Sequence, residues 1–225
     1  MIVNERIVSY INSLDHGNTP FLDQLEIKAL EERVPIIRHE MQTFLKFILT
    51  LKKPHHILEV GTAVGFSALL MAEYAPEDTK ITTIEKYEKR IPIAKENFAK
   101  AGREEQITLL EGDALVILKE LLQTKKSGYD LIFMDAAKGQ YPGLLPDLLE
   151  LLEPEGLLIS DNVLQEGDII ESRFAVTRRN RTIHARMRDY LYMLMNHDQL
   201  TTTILPVGDG ITVSVKSKKG KKYDD

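Results

Sequence analysis

His56-Ile-Leu-Glu-Val-Gly-Thr-Ala-Val-Gly-Phe-Ser67 runs from an apolar segment through two glycines into a stretch of helical character. A run rich in Ile, Leu and Val that ends in a glycine turn and continues at helical spacing is a strand–turn–helix unit. The unit recurs. Apolar runs lie at 56–60, 81–85, 107–111, 130–134 and 157–160, with helix-like stretches at 66–74, 87–101, 114–122 and 144–152 between them. This alternation predicts a parallel sheet with helices on both faces. The runs lack period-two polarity, as expected for strands covered on both sides. Further on, 182–195 reads as a helix with Ile183, Met187, Leu191 and Leu194 on its apolar face. Residues 200–206 and 210–215 then alternate polar and apolar around Val207-Gly-Asp209, the pattern of an antiparallel hairpin. Seven strands follow from this count.

Some fifty residues (1–52) precede the sheet and read as an N-terminal helical extension. Within it 36–51 is amphipathic, with Ile37, Met41, Phe44, Leu45, Ile48 and Leu51 at helical spacing. The tail 216–225, with five lysines, reads as a flexible end. No linker or repeat divides the chain, so 1–225 is expected to form a single domain.

With 43% hydrophobic and 28% charged residues the composition is that of a soluble globular protein. The absence of cysteine excludes disulfides, thiolate catalysis and Cys-ligated zinc or iron–sulfur sites. No apolar run reaches membrane-spanning length, and Met1-Ile-Val-Asn-Glu-Arg6 lacks the form of a secretion signal. A cytoplasmic protein with no membrane partner is expected. Net charge is −5, yet from Ser172 to Arg188 there are six arginines (Arg173, Arg178, Arg179, Arg181, Arg186, Arg188) and no acid. A basic segment on an acidic chain marks a particular surface for an anionic partner.

The chemistry sits at strand ends, where ligands of parallel sheets bind. Asp135 closes one strand, and Asp161-Asn162 closes another. Two carboxylates and an amide oxygen suit Mg²⁺, Mn²⁺ or Ca²⁺ rather than zinc. The turn at Gly61 and Gly65 lacks the dinucleotide spacing, so it brings backbone close to a ligand without cradling a pyrophosphate. Glu85 ends the second strand and is placed to take ribose hydroxyls. Gly112-Asp113-Ala114 follows the third, where side chain and backbone N–H could read an adenine edge. Taken singly, each of these reads as an ordinary turn, helix cap or solvated side chain.

Their order does not. Glu-x-Gly-x-x-x-Gly, a strand-end Glu, Gly-Asp-Ala, Asp-Ala-x-Lys and Asp-Asn together resemble the class I S-adenosylmethionine-dependent O-methyltransferases of the catechol and caffeoyl-CoA type, over about 35–215. The resemblance implies a Rossmann-like sheet of order 3-2-1-4-5-7-6 with strand 7 antiparallel. It assigns Glu59 to the donor site, Gly61, Gly65 and Ser67 to the methionine part of the donor, Glu85 to its ribose, and Asp113 and Ala114 to its adenine. Met41 would contact it through its backbone. The divalent ion falls on Asp135, Asp161 and Asn162, with Asp135 also beside the donor. Lys138 matches the general base, and with Asp135 makes the catalytic pair. The family often carries Asp-Ala-Asp-Lys; here Ala137 replaces the second acid, which removes a nearby charge but no expected ligand. A homodimer through the N-terminal helices is also implied.

The arginine-rich stretch is similar to that of bacterial tRNA 5-hydroxyuridine methyltransferases, which form 5-methoxyuridine at the anticodon wobble position. The expected partner is therefore tRNA, held by Arg173, Arg178, Arg179, Arg181 and Arg186. Its 5-hydroxyl and 4-carbonyl are neighbouring oxygens able to chelate one ion as a catechol does. Methylation of a small catechol or hydroxycinnamoyl-CoA is the alternative, and a non-catalytic RNA-binding protein on the same fold is a third reading.

Overall fold

The computed structural model describes residues 3–124 and 128–218. In chain order the elements are α1 (Glu5–Asn12), α2 (Pro20–Glu31), α3 (His39–Lys52), β1 (His56–Val60), α4 (Phe66–Tyr74), β2 (Lys80–Glu85), α5 (Ile91–Lys100), β3 (Ile107–Glu111), α6 (Ala114–Thr124), β4 (Tyr129–Met134), α7 (Tyr141–Leu151), β5 (Leu152–Ser160), α8 (Arg181–Met195), β6 (Leu200–Leu205) and β7 (Ile211–Lys216). Short 3-10 turns occupy Lys138–Gln140 and Gln165–Ile170. The strands form a seven-stranded Rossmann-like sheet in the order β3-β2-β1-β4-β5-β7-β6. β1, β2 and β3 run parallel, as do β4 and β5, whereas β7 is antiparallel to both β5 and β6. The expected fold class is the one observed.

The chain comprises two compact units, Val3–Ile117 and a second that begins at Leu118. In the first, β1 buries Ile57 to Val60 and β2 buries Ile81 and Thr83 to Glu85, with Glu59, Thr83 and Glu85 as polar members, whereas the edge strand β3 buries only Ile107. Helix α4 is buried from Phe66 to Ala72, an apolar helix without a polar face. In the second unit β4 buries Leu131 to Met134 and β5 buries Leu158 to Ser160, with Leu144, Leu145 and Leu148 of α7 in the same core.

Several boundaries differ from the sequence reading, each for a local reason. Helix α5 starts at Ile91 rather than at 87, because Tyr87–Arg90 closes its own turn and Pro92, which has no N–H to lose, suits the first helical turn. Helix α3 starts at His39, not at 36, and its face includes Leu49, while Leu51 is exposed. Strand β5 begins five residues early: Leu152 pairs with Tyr129, and the register then shifts before Leu157 pairs with Leu131. Pro154, Gly156 and a left-handed Glu155 lie in that irregular stretch. On α8 the buried residues are His184, Met187, Tyr190 and Leu194, with Ile183 and Leu191 half-buried. The expected flexible tail is corrected at its start. Lys216 ends β7, and its Nζ donates to Leu149 O (2.7 Å) and Leu152 O (2.8 Å). Residues 219–225 of that tail lie outside the described residues.

Candidate active site

In the first unit the glycine turn is held from three sides. Gly61 N and Thr62 N both donate to Ile84 O of β2, Gly65 N to Thr62 O, and Asn97 Nδ2 to Val64 O at 2.8 Å. Gly65 sits at φ +87°, where a Cβ would lie 2.5 Å from the Phe98 ring, so both backbone and space require glycine. Glu85 faces this turn. Its Oε2 accepts from Ala63 N (2.7 Å), and its Oε1 from Lys86 N (2.9 Å) and Tyr87 N (2.8 Å). Those bonds fill Oε1 and leave Oε2 a free lone pair, by the inventory of carboxylate acceptors. Asp113 caps the start of α6 through Leu115 N and pairs with Lys86 at 3.4 Å.

Glu59 is fully buried, and its carboxylate accepts from Ser67 Oγ and Thr83 Oγ1, each at 2.5 Å. Its side chain therefore fixes Ser67 at the start of α4. Met41 is buried on α3. Neither Asn97 nor Thr83 is marked by any motif; each is found only because the fold carries it to the turn.

The second unit brings together the acids at the ends of β4 and β5. Asp161 is buried and Asp135 half-buried, and Asn162 Nδ2 lies 3.3 Å from Asp135 Oδ1. Asn162 adopts φ +59°, a left-handed conformation that Asn tolerates better than most residues. Burial raises the Asp135 carboxyl above its ordinary range. For Asp161, burial and then the charge of Asp135 push it up to about 7. Two neighbouring like charges offset by the Asn162 side-chain amide, its backbone N–H (2.7 Å from Asp161 Oδ1) and the charge of Lys138 leave a deficit of positive charge. A divalent cation fits that deficit, and the donor set of two carboxylate groups and one carboxamide is all oxygen. Among the described residues no group of three His, Cys, Asp or Glu side chains is placed to hold a metal, which is consistent with a site whose third donor is an amide.

The walls of this cluster are tyrosines that no motif predicted. Tyr141 OH donates to Asp161 O (2.9 Å) and packs edge-on against Tyr190, whose hydroxyl meets Ser160 Oγ at 2.6 Å. Burial, then the neighbouring Asp135 and Asp161 charges, keep the Tyr141 phenol protonated, so it acts as a donor. Lys138 Nζ lies 3.6 Å from Asp209 Oδ2. Asp209, itself buried, also accepts from Glu166 N and so ties the segment after Asn162 to the β6–β7 hairpin. At Gly210 (φ +82°) a Cβ would overlap the Leu164 side chain, so the hairpin approaches that segment closely. In the sequence, Asp209 between two glycines reads only as a turn residue.

The arginines divide into two sets. Arg181 donates to Val176 O and Phe174 O, Arg186 to Gly139 O (2.9 Å) and Arg188 to Ile169 O (3.2 Å). These three brace the segment. Arg173, Arg178 and Arg179 are exposed, with no ion pair among the described residues.

A Rossmann-like sheet with this turn, strand-end glutamate and oxygen cluster is the architecture of a methyltransferase. The model of the O-methyltransferase family matches residues 12–217, and the chain belongs to that family. It is 32% identical over 185 residues to a caffeoyl-CoA O-methyltransferase of Medicago sativa, covering 78% of this chain and 72% of that one. It is also 32% identical over 128 residues to a catechol O-methyltransferase of Niastella koreensis, covering 57% and 58%. Among solved structures, the SAH-bound methyltransferase PaMTH1 of Podospora anserina superposes with a TM-score of 0.83 at 28% identity, covering 96% of this chain and 95% of that one. The O-methyltransferase TomG of Streptomyces achromogenes, solved with SAM, gives 0.82 at 25% identity over 96% of this chain and all of its own.

Proposed function

We propose that this protein transfers the methyl group of S-adenosylmethionine to the 5-hydroxyl of 5-hydroxyuridine in a tRNA anticodon, giving 5-methoxyuridine. Family membership and the donor-bound relatives support the O-methyl transfer. The observation that carries the RNA acceptor is the exposed Arg173, Arg178 and Arg179 on the segment that follows Asn162, matched to phosphate rather than to a small apolar phenol. An anticodon loop can present an unstacked base to such a surface.

In this reading Glu85 Oε2 takes a ribose hydroxyl, Asp113 and Ala114 meet the adenine, and Gly61, Gly65, Ser67 and the backbone of Met41 enclose the methionine part. Glu59 sets Ser67. Asp135, Asp161 and Asn162 hold the divalent ion, with Mg²⁺, Mn²⁺ and Ca²⁺ all suited to the oxygen set. Bound there, it would supply Lewis acidity toward the acceptor hydroxyl. Lys138 accepts the hydroxyl proton, with Asp209 alongside to balance the charge it gains. The oxygen then forms its bond to the methyl carbon as the carbon–sulfur bond breaks, and orientation supplies much of the acceleration.

Methylation of a catechol or hydroxycinnamoyl-CoA is the second reading, favoured by the named activities of the relatives. One assay separates them: purified protein, labelled methyl donor, hydroxylated tRNA and a catechol side by side. Label is expected in tRNA as 5-methoxyuridine. Changing Arg178 and Arg179 together to Ala is expected to lower kcat/KM on tRNA about tenfold or more and to reduce the salt slope by roughly one to two. Unlabelled tRNA beside catechol turnover that ignores the double substitution supports the second reading.

The whole chain acts as one catalytic domain in this proposal, in the cytoplasm and as a homodimer. Helix α1 buries none of its residues and exposes Ile7, Tyr10 and Ile11, an apolar face suited to a second copy. Sedimentation is expected to return about twice 25.6 kDa, and Ile7→Asp with Ile11→Asp to return the single mass.

A further inference from the structure

We propose that Phe174 is a stacking platform for a nucleobase of the RNA acceptor, with Arg173, Arg178 and Arg179 holding the phosphates on either side. This rests on the RNA reading above and adds the residue through which the loop is gripped. Phe174 is 84% exposed and Ile170 is 81% exposed, a large apolar surface for a short segment to leave in water. The turn that presents the ring is nonetheless built. Ala175 N donates to Ser172 O (3.0 Å) and Ser172 Oγ (3.3 Å), and Val176 N to Ser172 O (3.4 Å). Val176, two residues on, is buried and anchors the turn.

Arg181 completes the support. Its Nε donates to Val176 O and its Nη2 to Phe174 O, while its guanidinium carbon lies 5.9 Å from the Phe174 ring centroid. The cation therefore props the ring from beneath rather than reaching outward. Arg181, expected from the sequence to bind RNA, becomes a positioning residue for Phe174. A ring held in place, open to solvent and flanked by three exposed arginines has the features of single-strand recognition, in which bases stack on aromatic faces and cations follow the backbone. From Ser172 to Arg188 there is no acid to repel phosphate. An acidic protein segment would satisfy the arginines but would not call for an isolated ring; a nucleotide chain uses both.

The chain contains no tryptophan and eight tyrosines, so Phe174→Trp places a single tryptophan, excited selectively at the red edge, on the proposed platform. Titration of that full-length variant with an anticodon stem-loop RNA is expected to quench its emission saturably, through stacking. Phe174→Leu is expected to bind the same RNA 5- to 100-fold more weakly, the loss of one base–aromatic stack. Its unfolding temperature and salt slope should stay as in the wild type, whereas Arg178→Ala with Arg179→Ala lowers the slope. Equal RNA affinity of wild type and Phe174→Leu overturns the platform while leaving RNA methylation standing. So does unchanged emission at saturating RNA. Quenching by a hydroxycinnamoyl-CoA but not by RNA overturns it in favour of the thioester. If the wild type binds no RNA, the RNA reading itself falls and the platform with it.

Discussion

Asp161→Asn is expected to abolish methyl transfer, by about 10³-fold or more in kcat/KM, while making the metal-free protein more stable at pH 8. Both effects come from one charge. Asp161 is buried beside the half-buried Asp135, and removing one charge relieves repulsion that burial has made expensive. The same substitution removes an anionic oxygen from the proposed cation site, and a cation's stabilisation of the transition state is worth several kcal/mol, near the 4 kcal/mol that equals about 10³ in rate. The backbone carbonyl that Tyr141 uses is untouched.

The pH dependence has a definite sign. The Asp161 carboxyl moves from 3.8 to about 7 on folding. Across that window the folded protein holds a proton that the unfolded chain has released. Stability of the metal-free protein therefore falls as pH rises from about 4 to about 7, by at most about 4 kcal/mol, and is flat beyond. In Asp161→Asn the Asp161 share of this slope is expected to be lost, leaving the shallower fall that the raised Asp135 carboxyl contributes. Calorimetric unfolding from pH 5 to pH 8 measures it. A variant that keeps its activity, or loses stability equally at every pH, contradicts the assignment.

Glu85→Gln is expected to weaken binding of S-adenosylmethionine about 10- to 100-fold while leaving turnover at saturating donor within a few-fold. The carboxylate joins two parts of the proposed donor site, through Ala63 N of the glycine turn and through Lys86 N and Tyr87 N after β2. An amide puts an N–H where the backbone presents N–H groups, and it gives up a charge-assisted bond to the ribose worth roughly 1.5–3 kcal/mol. Titration calorimetry reads the affinity. Unchanged affinity would place the ribose elsewhere.

Much of this was legible in the chain because parallel strands buried on both faces leave continuous apolar runs, and strand ends are where ligands bind. The strand order needed the family resemblance as well, since apolar runs do not state which strands are neighbours. What stayed hidden was set by tertiary structure. Pro154 and Gly156 mask the early start of β5, since both residues weaken a strand reading. Asp209 looked like a turn residue until the hairpin carried it to Lys138. Arg181, Arg186 and Arg188 read as surface charge, yet each donates to a backbone carbonyl that sequence spacing cannot locate. Tyr141 and Tyr190 gave no signal either, because an aromatic residue at helical spacing is ordinary core.

The most direct test is methyl transfer by chelator-treated enzyme as Mg²⁺ is restored, with bound ion counted in parallel. No product is expected in excess chelator, with full recovery as one ion binds per chain and neither recovery nor binding in Asp161→Asn. Undiminished turnover in the chelator would contradict the idea that Asp135, Asp161 and Asn162 act by holding a cation.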